Sequence, residues 1–99
     1  MAYQIIWTEN AREDLKSIVE YLKAEWSVTI AENFLNECNS KIDLISHFPE
    51  IGIKSNKSGA IYRILITKHN ALYYLLEKNR ITLLDFFDTR QNPEKNMFE

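Results

Sequence analysis

Apolar residues recur every three or four positions over two stretches in the first half of the chain, and this spacing predicts two amphipathic helices. Thr8 precedes the first stretch and is its predicted N-cap, because its side-chain oxygen can accept a hydrogen bond from a free backbone N–H group. Thr29 and Glu32 match a capping box for the second helix, which we expect to end before Pro49. The short link between the helices predicts an antiparallel hairpin. The two apolar stripes are Ala11, Leu15, Ile18, Val19, Leu22 and Trp26, then Ala31, Phe34, Leu35, Cys38, Ile42 and Ile45.

A different pattern, rich in β-branched and aromatic residues, predicts strands at residues 3–7, 61–67, 71–77 and 81–87. The last three are separated by polar turns of two or three residues, which permit only antiparallel neighbours. Residues 49–60 combine turn-forming side chains with few apolar ones and predict a loop. The expected fold class is therefore α+β, with an opening strand, an antiparallel helix hairpin and a three-stranded antiparallel meander.

Composition limits the architecture and the cellular setting. A chain of 99 residues, 45% of them hydrophobic, predicts one domain over residues 1–99. No stretch approaches the roughly 20 apolar residues that span a bilayer, and no basic leader precedes an apolar run, so we expect a cytoplasmic protein without a membrane partner. The single cysteine, Cys38, falls on an apolar stripe and is predicted to be a buried thiol.

The net charge of −2 is unevenly distributed along the chain. Residues 1–49 contain four basic and eight acidic side chains, whereas residues 50–99 contain eight basic and six acidic ones. The positive charge therefore lies with the predicted strands. The excess of two positive charges in residues 50–99 is small, whereas a strong nucleic-acid binder usually has a clearly basic domain.

The chain contains a series of short motifs: Trp7 and Thr8; Ala11, Asp14, Leu15, Ile18 and Tyr21; Pro49, Glu50, Ile51 and Gly52; Tyr62 and Arg63; residues 70–74 and 81–84; and Thr89, Arg90 and Gln91. Taken in order, these motifs resemble the RelE/ParE superfamily of bacterial toxins from type II toxin–antitoxin modules. The resemblance implies a small toxin that inhibits growth, needs no cofactor and is held inactive by a cognate antitoxin, as a possible toxin–antitoxin hetero-oligomer.

The superfamily includes RelE-like members, which cut messenger RNA on the ribosome, and ParE-like members, which poison DNA gyrase. Arg63 and Arg90 resemble the arginines of RelE-like members, and a guanidinium fork matches phosphate oxygens. His69 is the better of the two histidines for proton transfer, because the unperturbed pKa of histidine is near 6.5. A nuclease of this kind would use Arg63, His69 and Arg90, with the ribosome and messenger RNA as partners.

Two observations favour the ParE-like alternative. RelE-like nucleases usually place a catalytic tyrosine, or a His-Tyr pair, in the closing segment, and no tyrosine or histidine follows Phe87. The chain is also net acidic, whereas binding to RNA gains free energy from counterion release as phosphates are neutralised. We therefore expect a gyrase poison, and the resemblance to ParE-like members implies that it contacts its target through Arg63, Arg90 and Gln91. A non-toxic binding module with the same fold is a further alternative.

Other residues have simpler interpretations. Arg63 is as well explained by a solvent-facing ion pair with Asp85 or Asp88 of the meander. Those two carboxylates lack a third ligand at a suitable spacing, so no metal site is expected. Tyr73 and Tyr74 face opposite sides of one strand, and at least one of them is expected to pack under the helices.

Two kinds of surface are available to an antitoxin. The opening strand and the last meander strand are predicted sheet edges, to which an extended segment can add a strand. The groove between the helix hairpin and the sheet is suited to an amphipathic helix.

Overall fold

A computed structural model describes residues 2–90 of the chain. Two helices and five strands follow one another in an α+β arrangement, which confirms the predicted fold class. The elements are β1 (Gln4–Trp7), α1 (Glu9–Glu25), α2 (Val28–His47), a 3₁₀ turn (Pro49–Ile51), β2 (Ile53–Lys54), β3 (Ile61–Thr67), β4 (Asn70–Leu76) and β5 (Arg80–Asp88).

The five strands form one mixed sheet in the order β1-β5-β4-β3-β2. The meander β3-β4-β5 is antiparallel, as predicted, but β1 pairs in parallel with β5, with Gln4 opposite Arg80 and Trp7 opposite Leu83. The expectation that the last meander strand is a sheet edge is therefore wrong. The edges are β1, as predicted, and β2.

The first helix begins as its sequence predicts. The Thr8 hydroxyl accepts a hydrogen bond from the backbone N–H of Ala11 at 3.1 Å, so Thr8 is the N-cap of α1. The predicted capping box at Thr29 is wrong, because Ser27 caps α2 by accepting from the Ile30 N–H at 3.1 Å. Ser27 has the extended backbone that an N-cap requires, whereas Thr29 already lies inside the first turn of α2.

Both helices lie on one face of the sheet, with α1 against β5 and α2 against β3. Cys38 is buried in this core, as expected, and desolvation raises the pKa of its thiol to about 12. Trp26 is 68% exposed, so its predicted packing in the hairpin is wrong. It is the C-cap of α1 and follows the last helical residue, Glu25. The buried core residues include Ala11, Phe34, Ile45, Tyr62, Ile66, Leu72, Tyr74, Ile81 and Leu83.

The segment from residue 49 to 60, predicted to be a loop, contains the 3₁₀ turn and strand β2, which pairs antiparallel with β3. The Tyr74 hydroxyl fixes this segment to the sheet by donating to the Pro49 carbonyl at 2.7 Å and accepting from the Gly52 N–H at 3.2 Å. A Cβ at Gly52 would lie 2.5 Å from Tyr74 Oη and 2.6 Å from the Arg63 carbonyl oxygen. Glycine is therefore needed where the chain crosses Tyr74.

Over residues 2–90, neither helix combines the length and apolar character that crossing a membrane would require.

Candidate functional site

A groove of about 830 Å³ lies between the helix hairpin and one end of the sheet. Both helices, the β3–β4 turn and the end of β5 contribute to it, so it collects residues from distant parts of the sequence. Its lining residues are Asp14, Ser17, Ile18, Tyr21, Leu22, Trp26, Ile30, Asn33, Phe34, Glu37, Thr67, His69, Asn70, Phe86, Asp88 and Arg90.

The hairpin side of the groove is apolar and open to solvent. Tyr21 is 57% exposed, Trp26 68% and Ile30 41%, although each has a large apolar surface. Side chains of this kind are usually buried in the core or at an interface. This wall of the groove has the character of a binding surface.

The sheet end of the groove is charged and is organised by Asp88. Its carboxylate accepts two hydrogen bonds from the Arg90 side chain, Nε to Oδ1 at 3.0 Å and Nη2 to Oδ2 at 2.8 Å, and one from the Arg90 backbone N–H at 2.9 Å. These bonds to Arg90, with a weaker contribution from His69, lower the pKa of Asp88 to about 2. Asp88 therefore pairs with Arg90, and its predicted pairing with Arg63 is wrong.

The backbone of His69 is held between two strand ends. The Thr67 hydroxyl accepts from the His69 N–H at 3.3 Å, and the His69 carbonyl accepts from the Thr89 N–H at 2.9 Å. The Thr89 hydroxyl also donates to the Lys68 carbonyl at 3.0 Å. The β3–β4 turn is thus tied to the end of β5, which brings His69 and Arg90 to the same groove.

Arg63 does not belong to this groove. It alternates along β3 with Tyr62 and Ile64, which pack in the core beneath the helices. Successive side chains of a strand point to opposite faces, so Arg63 lies on the other face of the sheet. There it stands in register between Tyr73 on β4 and Ile53 on β2.

Of the three predicted site residues within residues 2–90, the structure therefore brings together His69 and Arg90 but not Arg63. Gln91 lies outside the described residues. Tyr73 and Tyr74 are both buried, with Tyr74 in the core under the helices. Tyr73, on the opposite face, makes an edge-on ring contact with Phe87.

Sequence reasoning missed a pair of carboxyl groups, Asp14 on α1 and Asp85 on β5. The Asn10 side-chain amide donates to both, to Asp14 Oδ2 at 3.3 Å and to Asp85 Oδ1 at 3.1 Å, so the two carboxyl groups lie side by side. Burial, followed by the hydrogen bond to Asp14 and its charge, raises the pKa of Asp85 to about 7. Asp85 is the only charged residue between Ile81 and Phe87. A lone acid in such an apolar strand was the available signal that it has a partner.

The sequence can be compared with known families at this point. The family described as "ParE toxin of type II toxin-antitoxin system, parDE" matches residues 5–93. The chain belongs to the ParE toxin family. It is thus a type II toxin of the RelE/ParE superfamily, as the sequence resemblance implied. A search of curated proteins gives no significant match.

Solved structures share the fold of this ParE-family chain at low sequence identity. A chain of the chromosomal ParDE toxin–antitoxin system from P. aeruginosa aligns with a TM-score of 0.73 and 11% identity, covering 88% of this chain and 96% of its own. The YoeB dimer from Staphylococcus aureus gives 0.63 and 18%, covering 88% and 97%. A conserved hypothetical protein from Helicobacter pylori gives 0.57 and 15%, covering 90% and 97%. At these identities the likeness concerns the fold alone.

Proposed function

We propose that this ParE-family toxin arrests bacterial growth by poisoning DNA gyrase in the cytoplasm, and that a cognate antitoxin neutralises it. The observation that carries this choice of target is the separation of the candidate nuclease residues. Arg63 lies on one face of the sheet, while His69 and Arg90 line the groove on the other. Cleavage of RNA needs a base, an acid and positive charge around one phosphate, and the sheet stands between these groups.

The state of Arg90 gives further support. Its guanidinium already makes a bidentate pair with Asp88, so a phosphate would have to compete with a carboxylate for the same fork. The closing segment also lacks the tyrosine or histidine of RelE-like nucleases. Membership of the ParE family agrees with a target other than messenger RNA.

The proposed contacts with gyrase are Arg63, Arg90 and Gln91. Because Arg63 and Arg90 lie on different faces of the sheet, they would reach different parts of the target. Removing Arg90 should weaken inhibition without abolishing the fold, because Arg90 is exposed and its ion pair with Asp88 lies at the surface.

The ribosomal nuclease is the second candidate, because His69 and Arg90 line the same groove. Such an enzyme would use His69 for proton transfer and Arg90 for charge stabilisation, after Arg90 leaves Asp88. It predicts cleavage of messenger RNA on ribosomes by the purified toxin and loss of that cleavage in His69→Ala.

A gyrase supercoiling assay with purified toxin tests the proposal. We expect wild-type toxin to inhibit supercoiling and to leave ribosome-bound messenger RNA intact. Arg63→Ala and Arg90→Ala should each weaken inhibition by about tenfold, the effect of losing one charged contact of roughly 1.4 kcal/mol. Arg80→Ala is the matched control, because Arg80 also forms an exposed ion pair with a neighbouring acid, Glu77.

The outcomes separate three functions. The gyrase proposal is supported if the wild-type toxin and the Arg80→Ala control inhibit supercoiling equally, while Arg63→Ala and Arg90→Ala inhibit it less. Intact gyrase activity with cleaved messenger RNA overturns it in favour of the nuclease. Activity in neither assay indicates a binding module that has this fold but no toxic target.

The groove is the proposed docking site for an amphipathic helix of the antitoxin. Its apolar wall at Tyr21, Trp26 and Ile30 offers the surface that such a helix buries, and Asp88 and Arg90 mark its polar end. The second proposed site is β1, an edge strand of the sheet formed by residues 2–90, to which an extended antitoxin segment can add a strand.

A further inference from the structure

The contact between the start of α1 and the middle of β5 is built from a small polar cluster. The Asn10 side-chain amide donates to the Leu84 carbonyl at 2.9 Å, to Asp85 Oδ1 at 3.1 Å and to Asp14 Oδ2 at 3.3 Å. Asp14 Oδ2 also accepts from the backbone N–H of Phe86 at 3.1 Å. Asn10 and Asp14 of α1 thus form hydrogen bonds with three consecutive residues of β5, Leu84, Asp85 and Phe86.

Two features explain why β5 offers these groups: the pairing with β1 ends at Leu83, and a β-bulge follows at Leu84. Tyr73 on β4 is opposite Asp85 and Tyr74 is opposite Leu83, so Leu84 is the extra residue. A bulge releases backbone groups from the ladder, and they then need other partners. Asn10 and Asp14 supply those partners, which makes this cluster the polar link between α1 and the sheet.

The cluster contains two acids and no base. Within residues 2–90, no ion pair involves Asp14 or Asp85. The neighbouring strands do not compensate: β1 carries no titratable side chain over Gln4–Trp7, and the β4 residue opposite Asp85 is Tyr73. Two carboxylates within hydrogen-bond reach repel when both are ionised, whereas one proton between them makes a strong bond.

We propose that Asp14 and Asp85 share one proton in the folded protein, and that this proton holds α1 against β5. Loss of the proton leaves two facing carboxylates and loosens the helix from the sheet. Asp14 and Phe86 also line the groove, so the same event alters one of its walls. This proton-dependent contact between α1 and β5 does not depend on which target the toxin has.

The shared proton is lost in the physiological pH range, because burial raises the pKa of Asp85 to about 7. In the unfolded chain an aspartate has a pKa of about 3.9. The folded state therefore binds more protons than the unfolded state between these values, and stability falls as pH rises through this window. The stabilising effect is complete below the unfolded value and is lost above the folded one.

Trp7 is a built-in reporter for the test, because its ring stacks on Phe86 at a centroid distance of 6.2 Å. The exposed Trp26 is first replaced by phenylalanine to leave Trp7 as the single tryptophan. Urea unfolding of this parent, followed by Trp7 fluorescence, is then measured from about pH 5.5 to 8.5. We expect the unfolding equilibrium constant to rise by more than about tenfold across this range.

Asp85→Asn, made in the parent, should remove most of that rise, because asparagine keeps a neutral hydrogen-bonding group in place of the protonated acid. Glu13→Gln, which neutralises an exposed acid next to Asp14 on the same helix, should keep it. Carboxyl carbon NMR of the unmutated protein supplies a second measurement that needs no variant. It should show Asp85 titrating near pH 7.

The proposal is overturned if the Asp85→Asn protein retains the full pH dependence of the parent. It is also overturned if the NMR titration shows both Asp14 and Asp85 ionised by pH 5. The NMR measurement decides the matter even if Asp85→Asn does not fold.

Discussion

At the residue scale, single side chains tie together segments that are far apart in the sequence. The Tyr74 hydroxyl links β4 to the turn that starts at Pro49, and Asp14 links α1 to the bulge in β5. The Tyr74 hydroxyl both donates and accepts a hydrogen bond, and the Asp14 carboxylate accepts from the Phe86 N–H and from the Asn10 side chain. Removing one of them therefore leaves a buried partner without its hydrogen bond, which costs more than losing a solvated contact.

Tyr74→Phe tests this expectation. The change keeps the buried ring but removes the bonds to the Pro49 carbonyl and the Gly52 N–H, so we expect a loss of about 1–3 kcal/mol in the free energy of unfolding. Tyr21→Phe is the control, because Tyr21 is exposed, and it should change stability by less than about 0.5 kcal/mol. Equal urea midpoints for the two variants would contradict the role assigned to the Tyr74 hydroxyl.

At the element scale, the helices and the meander were predictable because their signals are local. Hydrophobic periodicity located both helices, and the predicted strand at residues 61–67 coincides with β3. The parallel pairing of β1 with β5 has no local signal, since it joins residues about 76 positions apart. Strand β2 was missed because two residues between turn-forming side chains are too few for a periodic pattern.

Two substitutions at the start of α2 distinguish the observed N-cap, Ser27, from the predicted one, Thr29. Ser27→Ala should destabilise the protein by about 1 kcal/mol, because the Ile30 N–H loses its acceptor. Thr29→Ala should cost less than about 0.5 kcal/mol, since the sequence-predicted capping box does not form. Thermal unfolding of the two variants is the measurement. A larger loss in Thr29→Ala would restore the capping box.

At the scale of the whole molecule, the groove is where the fold concentrates exposed apolar surface and charge. The groove between hairpin and sheet was predictable from the sequence, as was the choice of His69 and Arg90 as candidate site residues. The position of Arg63 on the opposite face of the sheet was not predictable. The spacing of Arg63 and Arg90 along the chain does not show how the two side chains lie relative to one another in the fold. The Asp14–Asp85 pair was missed for the same reason, since it forms only when α1 packs on β5.

The groove also predicts how the antitoxin binds. Trp26→Ala should weaken binding of the cognate antitoxin by at least about tenfold, because large aromatic side chains dominate interface energies. The fold should be unaffected, since Trp26 is mostly exposed. Val28→Ala is the control, because Val28 is also exposed but does not line the groove. Calorimetric titration that gives equal affinities for both variants would place the antitoxin elsewhere.

The central claim, that this ParE-family toxin acts on gyrase, is tested most directly by inducing the chain alone in a bacterial host. DNA damage signalling, new protein synthesis and messenger RNA integrity are followed together from the moment of induction. The account predicts that growth stops with an early DNA damage response while messages stay intact. Early cleavage of messages with translation arrest, before any damage response, would contradict it.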